Sequence, residues 1–123
     1  MTRNRQLLFA SSNAHKLEEI RKMIPDGYSL SGLDDLHWTE EIPEPFDTFE
    51  ANAKAKAYYV FDRTGLPCFA DDSGLVVDAL EGRPGVRSAR YAGEHRDSVD
   101  NLIKVLAELG DTTQRSARFI AVI

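Results

Sequence analysis

Short apolar runs alternate with amphipathic helical patterns along this chain, and that alternation limits the possible folds more than any other feature. The helical patterns begin after residues 11–13, near Asp47 and at Ser98. Because strands that alternate with helices usually build a sheet covered by helices, we predict an α/β fold with a mixed, partly parallel sheet flanked by helices. The predicted strands are residues 7–10, 28–30, 67–70, 75–77 and 117–123.

Length and composition predict one domain spanning residues 1–123. The chain is 42% hydrophobic and 28% charged, which is ordinary for a globular protein. The net charge of −5 argues against nucleic acid as a partner. Cys68 is the single cysteine, so no intramolecular disulfide can form. The first apolar run is too short for a signal peptide or a membrane span. We therefore expect a cytoplasmic protein without a membrane partner.

Two adjacent carboxylates, Asp71 and Asp72, precede Ser73 and Gly74 between two apolar runs. Carboxylates at the edge of a core cost desolvation energy unless they are paired or bind a metal. One interpretation is that the aspartates hold Mg²⁺ and that Ser73 points at a substrate. The other is an Asx-type turn between two strands, because Asp, Ser and Gly all favour turns.

A polar segment, residues 11–16, follows the first predicted strand and opens the first helix. The amide groups at a helix N-terminus favour phosphate, and Lys16 would add a positive charge. Alternatively, Ser12 or Asn13 only caps the helix. A cation in the first turn opposes the helix dipole, so Lys16 needs another reason to be there.

Further along the chain, Asn52 and Lys56 are four residues apart and share a helix face. If that face points inward, both side chains could reach a phosphate; otherwise it is a solvated surface. Arg83, Arg87 and Arg90 follow the aspartates and could form a cationic patch. Acids for Mg²⁺ together with cations for phosphate are what catalysis on a nucleoside triphosphate requires.

These motifs resemble the inosine triphosphate pyrophosphatase family, also called Ham1-like or non-canonical purine nucleoside triphosphate pyrophosphatases. The matching segments are residues 10–16 (ASSNAHK), 48–57 (TFEANAKAKA), 70–75 (ADDSGL), 77–80 (VDAL), 82–93 (GRPGVRSARYAG) and 115–119 (RSARF). The resemblance implies Mg²⁺-dependent hydrolysis of ITP, dITP or XTP to the monophosphate and pyrophosphate. It also implies an elongated two-lobed α/β fold and a homodimer.

The resemblance assigns a role to each matched residue. Asp72 is the catalytic acid–base or metal-binding residue, and Asp71 and Glu44 are further metal ligands. Glu41 is the fallback for Glu44, because residues 43–45 depart from the Pro-Glu-Thr-Gly pattern of the family. The implied substrate-binding residues are Ser11, Ser12, Asn13, Ala14, His15, Lys16, Asn52, Lys56, Ser73 and Arg90.

Two motifs that read the purine base in the second half of the family are not found in these 123 residues. We therefore expect an N-terminal fragment, about two-thirds of the family domain, or a naturally shortened relative. The alternatives to an active enzyme are a weak or inactive fragment that binds phosphate or metal, and an interaction domain that pairs through its last strand.

Overall fold

The computed structural model describes residues 5–123, in which five strands and three α-helices follow one another. The strands are β1 (Arg5–Phe9), β2 (Tyr28–Ser31), β3 (Cys68–Phe69), β4 (Asp72–Val77) and β5 (Ala117–Val122), and the helices are α1 (Ala14–Arg21), α2 (Phe49–Thr64) and α3 (Ser98–Leu109). Short 3₁₀ turns span Leu33–Leu36, Asp78–Leu80 and Gly85–Arg90. The prediction of an α/β fold with a partly parallel arrangement of strands is confirmed.

The chain divides into two compact units. The first contains the described residues up to Phe46 together with Glu50–Asp71 and Ile123. The second contains Asp47–Phe49 and Asp72–Val122. The boundary therefore falls between the two adjacent aspartates.

In the first unit, β1 is the central strand of a three-stranded parallel sheet in the order β2-β1-β3. Leu8 and Phe9 are completely buried, as expected for a central parallel strand that is covered on both faces. Helix α2 packs Val60 into the same core, and Gly65, at φ +68°, follows its last residue. The core also contains Ala10, Leu33 and Ala70, with Trp38, Ile42, Ala57, Leu66 and Cys68 packed against it.

In the second unit, β4 and β5 form an antiparallel pair in which Asp72 lies opposite Val122 and Val77 opposite Ala117. Val77, Leu80 and Val105 form a small core. Helix α3 therefore contributes only one fully buried side chain, Val105.

Helix α3 has the bounds that the sequence predicted, with Gly110 directly after its last residue. Its predicted apolar face, however, is mostly uncovered. Four of its apolar side chains are about half exposed or more: Val99, Leu102, Ile103 and Leu106.

Three details of the sequence prediction need correction. The apolar spacing of Leu17, Ile20 and Ile24 predicts a helix that reaches Ile24, but helix α1 ends at Arg21. Asp47 and Glu50 predict a capping box with Asp47 as the N-cap, but helix α2 begins only at Phe49. The turn interpretation of the aspartate segment is wrong, because β4 begins at Asp72 and includes Gly74.

Within residues 5–123, no helix combines the length and apolarity needed to cross a membrane.

Candidate active site

The start of helix α1 is built by local hydrogen bonds. The Oδ1 of Asn13 accepts from the backbone N–H of Lys16 at 3.1 Å, and the Oγ of Ser11 accepts from the N–H of Asn13 at 3.0 Å. Asn13 is therefore the N-cap that one of the two interpretations expected. Ser12, Ala14 and His15 are exposed along this turn.

The structure supplies a reason for Lys16. Its Nζ lies 2.6 Å from Oδ2 of Asp71, the residue two positions after β3. The Asp71 side chain is 8% exposed and that of Lys16 is 35% exposed. A buried carboxylate that lost such a partner would be costly, so the cation in the first turn balances Asp71.

A second lysine–carboxylate pair lies in the same unit. The Nζ of Lys56 is 2.9 Å from Oε1 of Glu44, and both side chains are largely buried. Asn52 is completely buried one helical turn before Lys56. It accepts from the N–H of Phe46 at 2.9 Å and donates to the carbonyl of Phe46 at 3.1 Å. Asn52 thus anchors the loop that carries Glu44.

The other acids of that loop differ from Glu44. The hydroxyl of Tyr59 donates to Glu40 at 2.6 Å, and Arg63 lies 3.2 Å from the same oxygen. The Tyr59 hydrogen bond, followed by the Arg63 charge, lowers the pKa of Glu40, against the effect of desolvation. Glu41 is exposed, whereas Glu44 is half-buried beside a lysine. Glu44 is therefore the less exposed of the two acids that the family resemblance offers.

The second unit begins with the next two candidate residues. Asp72 is 7% exposed, and its Oδ1 accepts from the N–H of Ser73 at 3.1 Å. Ser73 is half-buried in β4. An isolated buried carboxylate is unfavourable, so the burial of Asp71 and Asp72 requires compensating partners, of which Lys16 is one for Asp71.

Strand β4 lies against the 3₁₀ turn Gly85–Arg90. The Oγ of Ser88 accepts from the N–H of Leu75 at 2.8 Å and donates to the carbonyl of Gly85 at 2.6 Å. A Cβ at Gly74 would lie 2.1 Å from that carbonyl oxygen, so only glycine permits this approach. Arg90 is the last residue of the turn and is half-buried.

The predicted site residues therefore belong to both units. Among residues 5–123, no group of three or more His, Cys, Asp or Glu side chains is close enough to hold a metal ion. The assignment of Glu44, Asp71 and Asp72 as metal ligands stays a prediction.

The sequence profile of the Ham1 family matches residues 7–123. The chain belongs to the Ham1 family. It is 51% identical over 118 residues to a dITP/XTP pyrophosphatase of Flavobacterium psychrophilum, and 45% identical over 118 residues to the dITP/XTP pyrophosphatase of Bacillus subtilis. The first alignment covers 96% of this chain and 62% of the relative, and the second covers 94% and 60%.

Two solved Ham1 structures have the same fold over this region. The Ham1 protein of Staphylococcus aureus has a TM-score of 0.83 at 38% identity, covering 95% of this chain and 60% of that protein. A HAM1 protein from Coxiella burnetii has a TM-score of 0.85 at 37% identity, covering 96% and 61%. The chain therefore spans about 60% of the length of its Ham1 relatives.

The structure also shows residues whose importance was not apparent from the sequence. Ser88 lies inside the matched segment 82–93, but the sequence indicates no separate role for it. Asn101 and Glu108 lie on α3 and hydrogen-bond to residues 89–92, whereas the sequence predicts only that this helix is amphipathic. An amide or acid that interrupts an otherwise apolar helical pattern is the signal that could have identified them.

Proposed function

We propose that the chain carries the catalytic half of an enzyme that hydrolyses dITP, XTP and ITP to the monophosphate and pyrophosphate in the presence of Mg²⁺. The observation that carries this proposal is the buried aspartate doublet, with Lys16 paired to Asp71. The similarity to proteins named dITP/XTP pyrophosphatases over 96% of the chain supports the reaction.

Lys16 and Lys56 are the cations that would meet the triphosphate. Each holds a carboxylate within 3 Å, so each ammonium group is already kept in a defined position. Charge-assisted hydrogen bonds from lysine to phosphate oxygens are about twice as strong as neutral ones. We infer that the two lysines bind the β and γ phosphates, where the negative charge is concentrated.

The acids of the site have the right chemistry for Mg²⁺. Magnesium prefers oxygen ligands and is usually held by one or two carboxylates plus substrate phosphates, without an all-protein cage. Asp71 and Glu44 each already accept a cation, the lysine ammonium. Asp71, Asp72 and Glu44 are the residues that would hold the ion. When bound, Mg²⁺ would polarise the phosphoryl oxygens.

Asp72 is the proposed acid–base residue. Its carboxylate would accept the proton of the attacking water while the α–β phosphoanhydride bond breaks and pyrophosphate leaves. The backbone hydrogen bond from Ser73 limits the rotation of this carboxylate. Ser73, Asn13 and Arg90 are proposed to contact the nucleotide, together with the other residues of the segment 11–16.

A pyrophosphate-release assay on the 123-residue chain with XTP, ITP and Mg²⁺ tests the proposal. Asp72→Asn should lower turnover by about 10²-fold or more, because the amide cannot accept the proton. Asp62→Asn, on the exposed surface of α2, is the matched control and should leave turnover unchanged. Normal turnover of Asp72→Asn would refute the assignment. Nucleotide binding without hydrolysis in the wild type would favour the alternative of an inactive binding fragment.

Base preference is a separate part of the proposal. The first half of the family, as the sequence indicates, supplies phosphate and metal contacts but not the base-reading motifs. A site rejects a wrong base strongly only when its own buried polar atoms would lose their partners. We therefore expect ITP and ATP to bind this chain with affinities within about tenfold, or 1.4 kcal/mol. Calorimetry with both nucleotides measures this difference, and a larger preference for ITP would contradict it.

We also propose that the protein forms a homodimer and works in the cytoplasm. Its single cysteine, Cys68, is half-buried and donates to the carbonyl of Ala57 at 3.2 Å. Burial raises the pKa of this thiol, so little of it is the reactive thiolate at neutral pH. Light scattering tests the dimer, and cell fractionation tests the compartment.

A further inference from the structure

One face of helix α3 holds the backbone of residues 89–92, the segment that contains Arg90. The three side chains involved are Asn101, Lys104 and Glu108, at positions i, i+3 and i+7 of the helix. Residues with this spacing share one face. That face makes polar contacts, whereas the apolar residues of α3 are mostly exposed.

Asn101 makes the most specific of these contacts. Its Nδ2 donates to the carbonyl of Ala89 at 3.0 Å, and its Oδ1 accepts from the N–H of Ala92 at 2.7 Å. One side-chain amide thus fixes the backbone on both sides of Arg90. A side-chain amide carries a donor and an acceptor on neighbouring atoms, so it can satisfy a carbonyl and an N–H at the same time.

The other two side chains fix Tyr91, the neighbour of Arg90. The Nζ of Lys104 donates to the carbonyl of Tyr91 at 3.0 Å and lies 4.3 Å from the centre of its ring. The hydroxyl of Tyr91 donates to Glu108, which also lies 3.7 Å from Arg83. Ala89, Tyr91 and Ala92 therefore each have a contact with α3 that limits the movement of the segment.

We propose that Asn101 is a positioning residue that holds the backbone of Arg90, the arginine proposed to contact the nucleoside triphosphate. This inference rests on the proposed function. An arginine that binds an anionic substrate gains affinity when its backbone is already held in the binding conformation, because less freedom is lost on binding. Loss of Asn101 should therefore weaken substrate binding and leave the chemical step nearly unchanged.

The variants Asn101→Ala and Asn101→Asp test the contact in two ways. Alanine removes both hydrogen bonds, whereas the isosteric aspartate keeps the acceptor for Ala92 and loses the donor to Ala89. Leu102→Ala, an exposed neighbour on the same helix, is the control for changes in helix stability. Amide hydrogen exchange at Ala92 should be slow in the wild type and faster in Asn101→Ala. Equal exchange rates would show that the contact is not formed in solution.

The functional test is a double-mutant cycle with Arg90→Ala, using steady-state pyrophosphate release from XTP with Mg²⁺. Asn101→Ala should raise KM about tenfold and change kcat by less than about twofold, as expected for the loss of one hydrogen-bonded contact to a charged group. In the Arg90→Ala background, Asn101→Ala should raise KM no further, because residues that act through one another are not additive.

Three outcomes distinguish this inference from the proposed function. If the wild type neither hydrolyses nor binds XTP, both are wrong. If the wild type is active and the two substitutions raise KM independently, only the positioning role is wrong. If Asn101→Ala lowers kcat and the melting temperature without changing KM, Asn101 is structural and the inference is again wrong.

Discussion

Gly74→Ala is the substitution for which this structure makes the sharpest stability prediction. By local preference the change should be favourable, because glycine inside a strand costs roughly 0.5–1 kcal/mol relative to alanine. The packing predicts the opposite. The added Cβ would lie 2.1 Å from the carbonyl oxygen of Gly85 and 2.7 Å from the Oγ of Ser88.

The size of the effect follows from this distance. The 2.1 Å contact is 1.3 Å shorter than the 3.4 Å at which ordinary contact begins, and its closest partner is backbone that cannot rotate away. The turn Gly85–Arg90 must therefore move by about 1 Å. That movement lengthens the 2.8 Å bond from Leu75 to Ser88. Overpacking of this kind costs about 1–3 kcal/mol, and each lost hydrogen bond adds about 1 kcal/mol. After the favourable local preference of about 0.5–1 kcal/mol is subtracted, we expect a net loss of about 1–3 kcal/mol.

Urea denaturation followed by circular dichroism measures this loss. In a thermal scan, the same change should lower the melting temperature by about 5–15 °C. Gly65→Ala is the control, because its Cβ would meet nothing within 4 Å and only its φ of +68° is unfavourable. That backbone strain costs about 1–2 kcal/mol. If Gly74→Ala proves no less stable than Gly65→Ala, the close approach of β4 to the turn is not present in solution.

Three further predictions concern charge, pH and assembly. Lys16→Ala and Lys56→Ala should each weaken XTP binding by about tenfold and XMP binding by less. For both ligands the loss should shrink at high salt, because salt screens exposed charges. Calorimetry that shows equal losses for XTP and XMP would indicate that the lysines have a structural role. Desolvation, and then the hydrogen bond to Glu108, raises the pKa of Tyr91 above its ordinary 10.0. The neutral Tyr91 therefore contributes fully to the free energy of unfolding below pH 10.0, and this contribution is lost as the pH rises through the higher pKa of the folded state. Urea titrations at alkaline pH should show that the free energy of unfolding falls less steeply with pH for Tyr91→Phe than for the wild type. The 123-residue chain by itself should self-associate, because within residues 5–123 β5 pairs with β4 alone and Phe119 is 68% exposed; light scattering that shows a monomer at high concentration would exclude this.

The sequence predicted that Asn52 and Lys56 share a helix face, but it left open whether that face points inward and did not predict what the two side chains contact. Asn52 and Lys56 were placed on one helix face, and both are indeed buried or nearly so. The partner of Asn52 is nevertheless the backbone of Phe46, and that of Lys56 is Glu44. Helical periodicity fixes direction along one element. It carries no information about which loop meets that face.

The sequence also did not predict which residues far apart in the chain form pairs. The dipole argument showed that Lys16 needs a compensating interaction, and its partner proved to be Asp71, 55 residues further along the chain. The sequence offered Gly74 as a residue that favours a turn. In the structure Gly74 instead lies in β4 and allows a close approach to the chain's own carbonyl at Gly85. The roles of the site residues in binding and catalysis stay predictions.

The charge balance of the first unit also gives a physical reason for the proposed Mg²⁺ requirement. Asp71 is a buried carboxylate and Glu44 a half-buried one, and each is paired with a lysine. A triphosphate that drew Lys16 and Lys56 to its oxygens would leave these carboxylates without a cation, at a cost of several kcal/mol per buried charge. A divalent cation that arrives with the nucleotide would take over the carboxylates as the lysines turn to the phosphates. Nucleotide and metal would then bind together, because the metal compensates the carboxylates and the lysines compensate the phosphates.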